Sequence, residues 1–396
     1  MVRSDSDGEG LFERGAGEPA LSLRRRELLK RGGMFAAAGL ALPSILAACG
    51  GSDSDSGGSA ASTSASGGKP TEFSNKTVVF ATYGGSTAEA LKKAYFDPFA
   101  KESGVQVKNA SMDPARFFAM AEAGRSQWDS GDVDGFDGIA LADMGAIEKL
   151  PDWVTRAGIP DTPKLAGYRN YFNSSYSYSW VMAYKTSTFK GAKPESLADF
   201  WNAQKFPGKR AWPKLFISTI EAALTADGVK KDALYPLDID RAVSKLDELR
   251  PNVGLFYDSF AQAAQALNDG DVSLAWLPSS HIVNLQREGV DAQIVWNEAV
   301  NYPWGALPVP KGSPNAEGMF GLLDFMAQPE PEAEFTKLTG YGPPNPEALK
   351  LIDDETLKYV PNSPENKQIA VEVDAVAVAK QSGEYIERYG KWLAKS

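Results

Sequence analysis

The chain has 396 residues, 43% hydrophobic and 23% charged, with a formal net charge of −10, which suits two globular domains rather than a disordered or membrane-embedded chain. Residues 1–48 hold 7 Lys/Arg and 6 Asp/Glu, so the chain from Cys49 onward carries −11, an argument against a nucleic-acid binder, which needs a basic stripe to displace counterions. One cysteine and one histidine exclude an intramolecular disulfide, a cysteine-rich zinc site and HExxH chemistry, and without DxDxDG spacing neither a metal nor a cofactor is expected.

In chain order, the first element is an address. Arg24 to Arg31 is densely basic, and an apolar run from Met34 to Ala48 follows, interrupted only by Gly39, Pro43 and Ser44. A charged start, a short apolar stretch and small residues at its end describe a secretory signal; about 15 residues fall short of the ~20 a spanning helix needs. Arg25-Arg26-Glu27-Leu28-Leu29-Lys30 resembles a twin-arginine export motif. Leu46-Ala47-Ala48-Cys49 resembles a bacterial lipobox, in which Cys49 is lipidated and becomes the mature N-terminus. A thioether lipid plus an N-acyl chain supplies the two or more chains that stable anchoring requires. Residues 1–49 are therefore expected to be signal. Residues 50–70, almost entirely Gly, Ser, Ala, Thr and Asp, are expected to be a flexible tether holding the body on the outer face of the cytoplasmic membrane.

From Asn75 short β-type runs alternate with helical stretches, the pattern of an α/β fold. Thr77–Thr82 reads as a buried strand ending in Tyr83-Gly84-Gly85. Ser86 to Glu89 reads as a capping box opening a helix to about Lys101, with Leu91, Tyr95 and Phe99 on its inner face. Such a turn lies at the carboxyl edge of the sheet, where open α/β sheets bind ligands. Phe136–Ala142 reads as another strand, ending at Asp143. The aromatic segment Tyr171–Tyr184 alternates with polar residues, as a strand between two different surroundings would. Asp238 caps a helix to Arg250, which Pro251 ends, and Ser259 opens another to about Asn268. Val272–Leu277 and Gln293–Trp296 read as strands. Late helices follow Asn315, run from Pro331 to Gly340, and span about Glu384 to Leu393.

Seven segments in this order, VVFATYGGS, SYSWVMAYKTSTF, SLADFWNAQKFPGKRAWP, IEAALTADGV, LNDGDVSLAWLPSS, QIVWNEAVNYPWGALPVPKGSPN and GYGPPNPEAL, resemble the spermidine/putrescine-type solute-binding proteins of ATP-driven importers. The likeness runs from Asn75 to the C-terminus. It implies a two-lobe, type II-like periplasmic-binding-protein fold with hinge crossovers near Ser179–Tyr184 and Trp296–Leu307. Lobe 1 would be 75–184 plus 305–396, lobe 2 would be 185–300, and one ligand would be trapped in the cleft by hinge closure. By position, the resemblance implies a pocket of Tyr83, Asp143, Trp180, Ser218, Glu221, Asp258, Trp276, Ser279, Trp304 and Tyr341, whose aromatic members would face a cation. The implied role is a monomeric, lipid-anchored subunit that hands a small amine-type solute (a polyamine, a quaternary amine or an amino-acid derivative) to an ABC permease and its ATPase. Polyamine-binding relatives carry cleft acids at two positions that fall here on Ser279 and Gly305. Losing two charge-assisted bonds, at roughly 1.5–3 kcal/mol each, points to a ligand with fewer positive charges. A carboxylate on the ligand would fit Ser279 and the adjoining His281.

The competing class is an exported twin-arginine-dependent hydrolase. Ser279 or Ser280 beside His281 invites a triad, but adjacent residues rarely give the required geometry, and no GxSxG elbow exists. Asp353-Asp354 reads as a solvated pair rather than acid/base machinery. No catalytic residue is expected.

Overall fold

The computed structural model describes residues 68–395, so the expected signal, Cys49 and nearly all of the tether lie outside the described residues. Three sheets organise the remainder. Gln106–Ser111, Thr77–Thr82 and Ser130–Gly131 form a parallel sheet in that spatial order. Val133–Asp134, Gly305–Pro308 and Phe172–Asn173 form a short antiparallel one. The largest sheet has six strands, ordered Val371–Glu372, Ala292–Tyr302, Tyr178–Lys185, Leu274–Pro278, Arg210–Pro213 and Val253–Tyr257.

Two of these strands, Tyr178–Lys185 and Ala292–Tyr302, are the long connections between the two halves of the chain, and they pair antiparallel over most of their length. Beyond them lies a parallel trio, Leu274–Pro278, Arg210–Pro213 and Val253–Tyr257. Parallel strands need helical crossovers, and the sequence supplies them. Asp238 caps Ile239–Leu249 by accepting from the Arg241 N–H at 3.1 Å, and Ser259 caps Phe260–Asp269. The crossovers return each strand in the same direction, so the carboxyl ends Pro213, Tyr257 and Pro278 share one edge. The residues that follow, Ser218 before helix Thr219–Ala226 and Ser279 opening helix Ser279–Arg287, are delivered to that edge. The three-stranded parallel sheet does the same for Tyr83 and Asp132.

Apolar alternation builds two main cores. One surrounds the large sheet and buries Trp180, Trp212, Trp276 and Trp392; the other lies under the small parallel sheet, with Phe80, Tyr95, Phe96, Phe99 and Leu322. The α/β class is as the sequence implied. Two local expectations are overturned. Phe136–Ala142 is not a strand but the body of helix Gly135–Asp143, because a short apolar run has no periodicity that separates the two. The strand is the preceding Val133–Asp134, paired with Gly305 and Ala306. Ser86 is not a cap: the helix begins from Gly84, with no side-chain bond. Gly84 and Gly85 sit at φ 81° and 61°, left-handed angles that glycine adopts at no steric cost. The end of the chain also reaches the large sheet. Val371–Glu372 pairs with Ala292–Tyr302, and in helix Ala375–Leu393 Trp392 donates to Asp247 while Tyr385 donates to Glu221. Helix Ala375–Leu393 also packs on helix Gly135–Asp143, so the last segment lies against both halves.

Among the described residues, no helix is long and apolar enough to cross a membrane.

Candidate functional site

Between the two sets of strand ends stands a group of tyrosines and acids. Asp132 follows strand Ser130–Gly131, Asp134 ends Val133–Asp134, and Asp137 lies in the first turn of helix Gly135–Asp143. Asp132 accepts from the Tyr176 hydroxyl and Asp134 from the Tyr178 hydroxyl. Tyr176 stacks on Tyr341, with centroids 4.4 Å apart and planes at 7°, and Tyr178 stacks on Tyr302 at 4.8 Å and 6°. The two pairs meet edge-on through Tyr176 and Tyr178 at 6.3 Å.

Each pair ties the two halves together. The Tyr302 hydroxyl accepts from the Ser218 N–H at 2.9 Å, and Ser280 donates to the Tyr341 hydroxyl at 3.3 Å. Ser218 is fully buried at φ 67°, a conformation costly for a residue other than glycine. It is held there by that bond and by the Trp276 indole N–H, which donates to its Oγ at 2.9 Å. A strained residue at a helix start, fixed from both sides, is the kind of position that functional sites retain.

The electrostatics are set by burial. Burial pushes Asp132 up to about 7 and Asp134 to about 6, against the lowering effect of their phenol hydrogen bonds. Burial and the neighbouring Asp134 raise Asp137 as well. Among the described residues no Lys or Arg pairs with any of the three. The fully buried Arg210 is committed to the carbonyls of Phe200 and Phe206. Ionised carboxylates in such surroundings lack the partner that a buried charge requires. No group of acids, His and Cys among the described residues is arranged to hold a metal.

The residues expected from the sequence divide. Tyr83 is 58% exposed at the tip of Thr77–Thr82, beside Asp134, Asp132 and Asp137. Tyr341 and Ser218 belong to the tyrosine group directly. Trp276 is wholly buried, stacked on Trp212 at 6.3 Å, and reaches the group through Ser218. Glu221 is buried behind Tyr302, accepting from the Tyr385 hydroxyl at 2.8 Å and the Tyr235 hydroxyl at 3.3 Å, and its pKa is raised by desolvation. Trp304 stacks on Phe172 at 5.7 Å and lies flat over Gly135, where a Cβ would come within 2.6 Å of its ring. Trp180 pairs with Pro278, the residue before Ser279, and both Trp180 and Ser279 are buried.

Two expected residues are elsewhere. Asp143 is at the far end of the helix that Asp134 precedes, about 13 Å along its axis, exposed and bonded to the Tyr168 hydroxyl at 2.9 Å. Asp258 is an exposed partner of Lys214 at 3.1 Å. His281 packs on Phe260 at 5.1 Å with its pKa lowered to about 4 by burial, so it is neutral at pH 7 and hydrogen-bonds no serine. Asp353 caps a short helix, accepting from the Thr356 N–H at 2.8 Å.

Asp132, Asp134, Tyr176 and Tyr302 were not singled out from the sequence. The signal available was acids spaced i, i+2 and i+5 just after a strand edge, opposite an aromatic-rich crossover. The position of Gly305 explains the apparent loss of an acid: Gly305 pairs with Asp134, and a Cβ on it would lie 3.4 Å from Asp132 Oδ1. Acids from the neighbouring strand already occupy that place.

Strand ends from two halves, bridged by paired crossover strands and closed over acids that no Lys or Arg among the described residues pairs with, define a two-lobed solute-capturing protein. The chain matches the bacterial extracellular solute-binding proteins over residues 94–365 and belongs to that family. It is 33% identical to the gamma-aminobutyric acid-binding protein of Pseudomonas aeruginosa, over 81% of this chain and 92% of that one. It is 25% identical to spermidine/putrescine-binding periplasmic protein 1 of Haemophilus influenzae, over 72% of this chain and 80% of that one. A solved ABC transporter substrate-binding protein from Bradyrhizobium japonicum superposes with a TM-score of 0.75 at 32% identity, covering 81% of this chain and all of the other. These relatives are solute-binding proteins, not enzymes, and nothing in the Ser279–His281 geometry favours a hydrolase.

Proposed function

We propose that this protein captures a small amine for import by an ABC transporter, with the ammonium group held by Asp132 and Asp134 between the stacked tyrosines. The observation that carries the reading is the pair of desolvated carboxylates tied to phenols and left without a basic partner. An arriving ammonium replaces the missing charge, and the ring faces add cation–π attraction. Two acids close together serve one cationic end. Ser279 and Gly305 offer no acid for a second, so an amino-acid derivative or monoamine is favoured over spermidine. The likeness to a protein named for gamma-aminobutyric acid supports the same class.

The ligand closes two lobes about the strands Tyr178–Lys185 and Ala292–Tyr302. One lobe holds 75–177 and 305–370, the other holds 185–300, and the C-terminal helix packs against both. Cys49 carries the lipid anchor, the twin-arginine motif directs export, and the body works outside the cytoplasmic membrane as a monomer beside its permease. A thermal-shift screen of 4-aminobutyrate, putrescine, spermidine and betaine tests the class. A ligand at 100 times its dissociation constant should stabilise the protein by about 2.7 kcal/mol. Absence of a shift with every amine would refute it.

A further inference from the structure

We infer that Glu332 is a positioning residue for the cleft: it fixes the loop that carries Tyr341, and through Tyr341 it sets the Tyr176 ring and the Asp132 carboxylate. The inference rests on the amine reading above for what the cleft holds, and adds a residue that touches no ligand. Tyr341 stands between Gly340, at φ 77°, and Gly342, and the backbone beside a glycine has little of its own to hold it in place. Pro343 and Pro344 carry no amide N–H, so the loop 341–345 has three. Each finds one acceptor. The Tyr341 N–H donates to Thr339 Oγ1 at 3.1 Å, that of Gly342 to the Ser177 carbonyl at 2.9 Å, and that of Asn345 to Glu332 Oε2 at 2.7 Å. The first two bonds hold the start of the loop, and Glu332 holds its end. Asn345 extends the tie, donating from its side chain to the Ala327 carbonyl at 3.1 Å and capping helix Pro346–Leu349.

Glu332 lies in helix Pro329–Thr339 and is 1% exposed, with its other oxygen, Oε1, buried and unpartnered. Burial pushes its pKa up to about 8, against the lowering effect of the Asn345 N–H, so at neutral pH it accepts that bond as a neutral acid. A buried polar group with one oxygen unsatisfied lowers stability; what it provides in exchange is the bond to the loop. The path from the loop to the acids is short. Tyr341 stacks on Tyr176, with planes at 7°, and Tyr176 donates to Asp132. Phe335, from the helix that carries Glu332, lies 5.6 Å from the Tyr176 ring and 6.1 Å from that of Tyr341. Ser280, from the other half, donates to the Tyr341 hydroxyl. One loop therefore sets a wall of the acid site and a bridge between the halves, and such a wall works only if held to within about 0.5 Å.

The test compares Glu332→Gln, which keeps an acceptor, with Glu332→Met, which keeps the length of the side chain and loses the acceptor. Hydrogen exchange of the segment 339–346 in the empty protein reads the clamp. Isothermal titration with 4-aminobutyrate reads the cleft, for each variant alone and for Glu332→Met combined with Tyr341→Ala. In Glu332→Met the loop amides should exchange about 10-fold faster, while the strands Thr77–Thr82 and Leu274–Pro278 keep their protection and show the fold intact. Amine affinity should fall about 10-fold, and Glu332→Gln should match wild type in both readouts. On the Tyr341→Ala background Glu332→Met should change affinity by less than about 2-fold, because its effect runs through that ring. Unchanged exchange in Glu332→Met, or the same change in Glu332→Gln, overturns the clamp. Faster exchange with unchanged affinity, or an equal loss of affinity with and without Tyr341, overturns the positioning role. Failure of the wild type to bind 4-aminobutyrate would count against the amine reading, and the exchange result alone then decides the clamp.

Discussion

Replacing Asp134 with asparagine separates a binding role from a structural one, because the two roles have opposite effects on the empty protein. Burial raises the Asp134 carboxyl from 3.8 to about 6. Each unit corresponds to about 1.4 kcal/mol, so the ionised group disfavours folding near pH 7.5 by about 3 kcal/mol. The sign follows from linkage: a raised folded-state pKa stabilises below the unfolded value and loses that contribution as pH rises through 6. Asparagine keeps an oxygen to accept from the Tyr178 hydroxyl and removes the charge. Asp134→Asn should therefore melt at a higher temperature than wild type when empty, at pH 7.5. It should also bind 4-aminobutyrate about 10- to 150-fold more weakly, the equivalent of one charge-assisted bond at 1.5–3 kcal/mol. Scanning calorimetry of the empty protein and isothermal titration with the amine read the two effects separately. A less stable variant with unchanged affinity would refute the reasoning, since it would make Asp134 a structural residue and no more.

Other consequences concern pH, backbone space and anchoring. Amine affinity should fall as pH drops through 7 towards 5, because Asp132 and Asp134 titrate at about 7 and about 6 and bind ammonium only when ionised; titration at pH 8 and pH 5.5 checks it, and equal affinities would contradict it. Gly305→Asp, which the sequence alone recommends for restoring a polyamine acid, should instead lower stability by about 1–3 kcal/mol, because its Cβ would fall 2.3 Å from Ser175 Oγ and its charge beside Asp132. Denaturant unfolding measures this, and an undiminished midpoint would contradict the packing. Cys49→Ala should move the protein from the membrane to the soluble fraction or leave it as precursor. Equally tight association of mutant and wild type would refute lipidation.

Much of the architecture was legible because local rules agreed with the global fold. Asp238 and Ser259 announced their helices, and the β-type runs Thr77–Thr82, Val272–Leu277 and Gln293–Trp296 fell on the strands Thr77–Thr82, Leu274–Pro278 and Ala292–Tyr302, the last of them much longer than its run. Helix Gly135–Asp143 was misread because Phe136, Ile139 and Leu141 are buried on a short element whose apolar run has no clear period. That error carried into the site. Reading 136–142 as a strand put Asp143 at its carboxyl end, whereas the strand edge is eight residues earlier and delivers Asp132 and Asp134. Trp276 and Trp304 were legible as important but not in their role. Trp276 fixes the strained Ser218, and Trp304 packs over Gly135 at the helix that follows the acids. The stacking of Tyr176 on Tyr341 and Tyr178 on Tyr302 joins residues more than 100 positions apart, which no local pattern reports.

The account stands most directly on where an amine nitrogen sits. A crystal structure of the complex with the amine that gives the largest thermal shift will locate it. The account predicts that nitrogen within about 3 Å of the Asp132 or Asp134 carboxylate, against the Tyr178 ring. An ammonium group placed instead on Glu221, Asp258 or Asp143, with Asp132 and Asp134 bonded only to their tyrosines, would contradict it.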